Sequence, residues 1–95
     1  MLLQKPITSG TVVSLKLVNG DEIIARYDGE DVDTIKINRP LALTMGAQGL
    51  GMIPWLFLGE TDTFNLKREH VFVIVASKKD AADQYTQGTT GIALS

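Results

Sequence analysis

Two groups of residues carry chemistry at short spacing in this 95-residue chain. Lys67 and Arg68 are adjacent and lie just ahead of the single histidine, His70. A guanidinium can stack on a base and fork to a phosphate, so this pair is the candidate nucleic-acid contact. The second group is acidic: Asp28, Glu30, Asp31 and Asp33. Carboxylates so close together could hold Ca2+ or Mg2+. The spacing departs from a calcium loop, since the sixth position is Asp33 rather than glycine and the twelfth is Arg39 rather than an acid. The cluster therefore reads as a solvated hairpin tip with no metal, and it would repel phosphate from anything beside it.

Catalytic chemistry finds little to work with. The chain has no cysteine and one histidine, and it has no phosphate-cradling glycine loop followed by Lys-Ser or Lys-Thr. Ser14 and Ser77 have no evident base, and carboxylates on an exposed tip are not desolvated enough to raise a pKa. The expectation is a protein that is not an enzyme and needs no cofactor.

Composition narrows the class. Ninety-five residues make one domain, here a barrel over about 12–76 followed by a helix and flexible tail over about 77–95. The hydrophobic fraction of 44% suits a globular core, and no apolar run approaches the roughly 20 residues of a membrane helix. The absence of cysteine, with a start at 1–6 that lacks a signal peptide's apolar core, points to the cytoplasm. A net charge of −2 argues against broad coating of nucleic acid but leaves room for a small local site.

The elements that must position these residues are strands. Residues 12–17 and 22–27 alternate around Asn19-Gly20. A two-residue turn would bring Arg26 onto the apolar face. A three-residue loop, Val18-Asn19-Gly20 with Gly20 left-handed, instead sets Leu15 opposite Ile23, Val13 opposite Ala25 and Lys16 opposite Glu22. After the acidic tip a third strand spans 34–45, where Pro40 marks an edge, bulge or bend. A glycine-rich tip at 46–51 leads to a fourth strand, 52–58, apolar on both faces. One of those faces would meet the core and the other a neighbour, with Trp55 and Phe57 in core or interface. The 63–66 segment continues it beyond a break at 59–62, and 70–75 is the last strand. Ser77 can cap a helix over roughly 78–87 before the loose Gly88–Gly91 segment. Five short strands with glycine or proline at the bends predict an all-β fold: a small, strongly bent antiparallel barrel, SH3-like or oligonucleotide-binding, with a short C-terminal helix.

The run Val13-x-Leu15-x-Leu17-x-Asn19-Gly20-x-Glu22-Ile23-Ile24, then Gly29-x-Asp31, then Ile35 and Ile37, resembles the first signature of the Sm and Sm-like family. The turn from Leu66 to His70 followed by Val71–Ile74 resembles the second, including the basic-then-His step of Hfq-type bacterial members; a small phage-type member would suit the chain. The resemblance covers residues 12–76. It implies a homo-oligomeric ring of roughly five to seven subunits joined edge to edge, which would also remove open sheet edges. It further implies binding of single-stranded RNA, with DNA as the other candidate, in RNA processing or chaperoning. The family's contacts, carried over, fall at Asp31, Asp33, Thr34, Lys67 and Arg68. The chain departs from the pattern where a base-stacking aromatic or histidine is usual, since it carries Val32-Asp33-Thr34 there, and the usual N-terminal helix is absent. The competing expectation is a structural or protein-interaction module of SH3-like fold that binds no nucleic acid.

Overall fold

The computed structural model describes residues 7–47, 49–55 and 61–89. Six strands and one helix follow in order: β1 Val12–Leu17, β2 Glu22–Glu30, β3 Thr34–Gly46, β4 Gly49–Pro54, β5 Thr63–Lys67, β6 Val71–Ala76 and α1 Lys79–Thr89. All strand pairs are antiparallel, in the order β4-β3-β2-β1-β6, with β5 also on β3. The fold is a small, bent all-β sheet, as expected, with one strand more than the sequence suggested.

The first hairpin has the expected register. Lys16 faces Glu22, Leu15 faces Ile23 and Val13 faces Ala25. Residues 18–20 form the loop, closed by bonds between Leu17 and Asp21 and between Gly20 and Leu17, with Gly20 at φ 101°. A side chain resists that region, so glycine fits the bulged turn.

The extra strand arises because β3 has two partners along one edge. Its first half pairs with β5, Thr34 opposite Lys67 and Asn38 opposite Thr63, while its second half pairs with β4, Leu41 opposite Pro54 and Gly46 opposite Gly49. The change of partner falls at Arg39-Pro40. Arg39 has φ 50°, the one positive value outside glycine among the described residues, and Pro40 is buried. Proline removes the ladder donor, so this is where a long strand bends at least cost. Residues 56–58 of the expected fourth strand, Phe57 among them, lie outside the described residues.

The bend gives the sheet two apolar faces. Val13, Leu15, Ile23, Ala25, Tyr27, Ile35, Ile37 and Ile74 fill the inside, with Trp55 and Phe64 meeting edge to face at 5.9 Å against it. On the outside, Val12 and Ile24 pack with Leu41, Leu43 and Met52 beneath Tyr85, Ala81 and Ala82 of α1. The helix thus covers Met52, a surface for which the sequence suggested a subunit neighbour. Helix α1 begins at Lys79, and the Ser77 hydroxyl pairs at 2.8 Å with that of Ser14 instead of serving the helix start. Lys79, unfavourable at a helix N-terminus, is matched by Asp83 one turn on at 2.7 Å. The helix runs through Gly88 and Thr89, which the sequence assigns to a loose tail.

Candidate functional site

The five residues expected to contact nucleic acid converge on one corner. The turn from β2 into β3 meets the end of β5, because Thr34 pairs with Lys67 and the Arg68 amide donates to the Asp33 carbonyl at 2.9 Å. A single 3₁₀ turn, Arg68–His70, then leads into β6.

Asp31 organises this corner by folding the chain. Its Oδ1 accepts from the Asp33 amide at 3.0 Å, the Thr34 amide at 2.9 Å and the Thr34 hydroxyl at 3.0 Å. These donors hold its carboxyl below the usual aspartate range, the backbone amide of Thr34 foremost. Short polar side chains that bond two residues onward are natural turn formers.

Arg68 is equally engaged. Its Nε donates to the Asp31 carbonyl at 2.8 Å, and its terminal nitrogen pairs with Glu30. The two side chains are only 29% and 23% exposed, so the pair is better shielded from water than a surface ion pair. Glu30 also accepts the Tyr27 hydroxyl at 2.7 Å. That bond is the main cause of Glu30's lowered pKa, with Arg68 adding to it against partial burial. Burial, then the bond to Glu30, pushes the Tyr27 hydroxyl up to about 12. This Tyr27–Glu30–Arg68 chain fastens the β2–β3 tip to the β5–β6 turn. Sequence spacing gave no sign of it, because Glu30 and Arg68 are far apart along the chain.

What remains for a ligand at this corner is modest. Lys67 and Asp33 are exposed, and neither side chain has a hydrogen-bond or ion-pair partner among the described residues. Asp28 lies 3.9 Å from Lys36. Four carboxylates, at 28, 30, 31 and 33, thus share the corner with three cations, at 36, 67 and 68. His70 is exposed, and its backbone carbonyl accepts the Val18 amide. Among the described residues no group of His, Asp or Glu is arranged to hold a metal ion.

Two features outside this corner escaped the sequence. The first is the outer edge of β6, a strand of sequence VFVIVA that among the described residues has a strand partner, β1, on one side only. Phe72 is 64% exposed there and Val75 41%. The second is a polar cleft beside the β3 bend, containing Arg26, Arg39 and Asp62. Among the described residues no helix is long and apolar enough to cross a membrane.

A small, strongly bent antiparallel sheet backed by one helix is the class of protein these elements define. No protein-family model matches the chain, and no curated protein matches it by sequence. Solved structures do match in fold. One is a chain of the "Crystal structure of the NatC complex bound to CoA", with TM-score 0.52 and 13% identity, over 86% of this chain and 97% of that one. Identity that low speaks for the fold alone. The Sm and Sm-like identification is therefore corrected: no model of that family matches, and the structural likeness is to a chain of the NatC complex. The residues that suggested it, an alternating hairpin with an Asn-Gly turn and a bulge glycine at 29, are what a bent sheet of this size requires whatever its family.

Proposed function

We propose that this chain is a non-catalytic structural and protein-interaction module of the cytoplasm, which assembles with copies of itself through its sheet edges. The observation that carries the reading is the edge of β6. Six residues without charge, proline or glycine have, among the described residues, no strand on their outer side, and Phe72 and Val75 stand exposed there. Proteins that work as monomers commonly blunt such edges with lysine or proline, and β6 has neither; its one irregularity is the register shift opposite Lys16 and Leu17 that sets Phe72 out of the ladder. The opposite end of the sheet is β4, uncharged as well, with Ile53 39% exposed and Met45, on the adjoining β3, 80% exposed. Among the described residues β5 too is paired on one side only, and different open edges on one molecule favour head-to-tail association, which closes into a ring when the rotation allows. The matched chain of the NatC complex adds support, since there nearly a whole chain of this fold serves inside a multiprotein assembly.

The corner at Asp31, Asp33, Thr34, Lys67 and Arg68 supports this reading over single-stranded RNA or DNA binding. Arg68 is held by Glu30 and Asp31, Asp31 by Thr34, and carboxylates outnumber cations. Phosphate binding draws on cations that can release counterions. Native mass spectrometry and a labelled oligo-U titration at about 50 mM salt separate the two readings. The module reading predicts a multiple of 10.3 kDa, reduced to monomer by Phe72→Lys, and no oligonucleotide shift. A monomeric wild type that shifts oligo-U, with the shift lost in Lys67→Ala/Arg68→Ala, would replace it with nucleic-acid binding.

A further inference from the structure

The cleft beside the β3 bend has a charge that the rest of the molecule does not explain. It is an open hollow of about 520 Å³, lined among others by Arg26, Asn38, Arg39, Asp62, Thr63 and Tyr85. The protein is acidic overall, yet two guanidinium groups here meet one carboxylate.

Arg26 is half-buried, with its guanidinium carbon 5.8 Å from the centre of the Tyr85 ring. One of its nitrogens donates to the Gly10 carbonyl at 2.7 Å. Among the described residues no carboxylate lies within ion-pair reach of it. A guanidinium partly withdrawn from water over an aromatic face, with one hydrogen bond among the described residues, is a ready partner for an oxyanion.

Arg39 gives one nitrogen to the Thr89 carbonyl at the end of α1, and its Nε stands 3.8 Å from Asp62. That separation is too long for a hydrogen bond, so Asp62, with its side chain 75% exposed, neutralises Arg39 only through water-screened attraction. The third polar group is Asn38. Thr63 donates its hydroxyl to Asn38 Oδ1 at 2.7 Å, which assigns the amide nitrogen as a further donor. The Tyr85 hydroxyl is occupied by the carbonyls of Asn38 and Arg39 and closes the floor. Apart from Asp62, the charged groups here are donors, and the Asn38 amide nitrogen adds a neutral one; the Thr63 hydroxyl, its hydrogen given to Asn38, can only accept.

The geometry points to a binding site for a small oxyanion, a carboxylate or a phosphate monoester, held between Arg26 and Arg39, with Asp62 as the internal anion it displaces from Arg39. A planar fork on Arg26 favours two parallel N–H···O bonds to either kind of ligand. Asp62 sets the affinity by repelling the incoming charge. The site stands apart from the edge of β6, and its occupancy does not depend on assembly.

The test is an NMR titration of the full chain with inorganic phosphate and with acetate, against chloride at matched ionic strength. Expected are saturable shifts at the Arg26 and Arg39 Nε–H and the Asn38 side-chain amide. Arg26→Gln should abolish them, Arg26→Lys should weaken them by losing the fork, and Asp62→Asn should tighten binding several-fold. Saturation by phosphate alone or by acetate alone supports the site and names its ligand. Shifts equal to those in chloride, or unchanged in Arg26→Gln, overturn it. If Arg26→Gln fails to fold, Asp62→Asn decides, and binding no tighter than wild type overturns the proposal.

Discussion

Tyr85 of α1 donates its hydroxyl to the carbonyl of Arg39 at 2.9 Å, joining the helix's one fully buried side chain to the residue where β3 turns left-handed. The same hydroxyl lies 3.0 Å from the Asn38 carbonyl. Asn38 is the last residue of β3 in register with β5, and at the bend that follows the helix supplies a donor. Tyr85→Phe should cost about 0.5–1.5 kcal/mol, because it removes the hydrogen bond from helix to sheet while keeping the ring. Tyr85→Ala should cost about 3–5 kcal/mol by opening a cavity between α1 and the sheet. Urea unfolding of the two variants measures both.

Arg39 occupies a backbone region that side chains avoid by about 1–2 kcal/mol. Arg39→Gly should therefore stay close to wild type in stability, the relieved backbone offsetting the lost contacts to Thr89 and Asp62. Arg39→Val, β-branched, should be clearly less stable than Arg39→Gly. Thermal melts of the pair isolate the backbone contribution, since both variants lose the same guanidinium.

The Glu30–Arg68 pair predicts how stability depends on pH. Glu30's pKa is lowered from 4.5 in the folded state, chiefly by the Tyr27 hydroxyl and then by Arg68. A depressed carboxylate contributes stability that is fully present above its unfolded value and is lost as pH falls through the folded one. The advantage of wild type over Glu30→Gln should accordingly be constant near neutrality and shrink once the pH drops below about 4.5. Tyr27 behaves in the opposite sense. Its hydroxyl is raised from 10.0 to about 12, so its contribution is present below pH 10 and is lost as pH climbs through that interval. Chemical unfolding at stepped pH gives both limbs.

The hairpin loop gives a local test of register. Side-chain NOEs should connect Lys16 with Glu22, and Gly20→Val should destabilise the protein by about 1 kcal/mol or more, because Gly20 sits at φ 101°. NOEs between Leu17 and Glu22 would mean the two-residue turn.

These residues also mark where sequence reasoning reached and where it stopped. The β1–β2 register was legible because alternation and a turn glycine act within a few residues of each other, and a slip would expose a whole strand face. The meeting of Asp31, Thr34, Lys67 and Arg68 was anticipated only through a family resemblance that did not hold, although the strands do bring these residues together. The sixth strand was not legible. Pro40 announced a bend, but the exchange of partners depends on Arg39 adopting a conformation that its side chain does not advertise. Nothing in the sequence marks Tyr85, because its two acceptors are backbone carbonyls nearly fifty positions earlier. Glu30 looked like one more solvated acid until its distant partner Arg68 was placed beside it.

The central claim is that the free edge of β6 pairs with another copy of the chain, and amide hydrogen exchange along β6 reads it most directly. The account predicts that the β6 amides facing away from β1 are protected at high protein concentration, lose that protection on dilution, and are unprotected throughout in Phe72→Lys. Rapid exchange of those amides at every concentration, in wild type as in the variant, would contradict it.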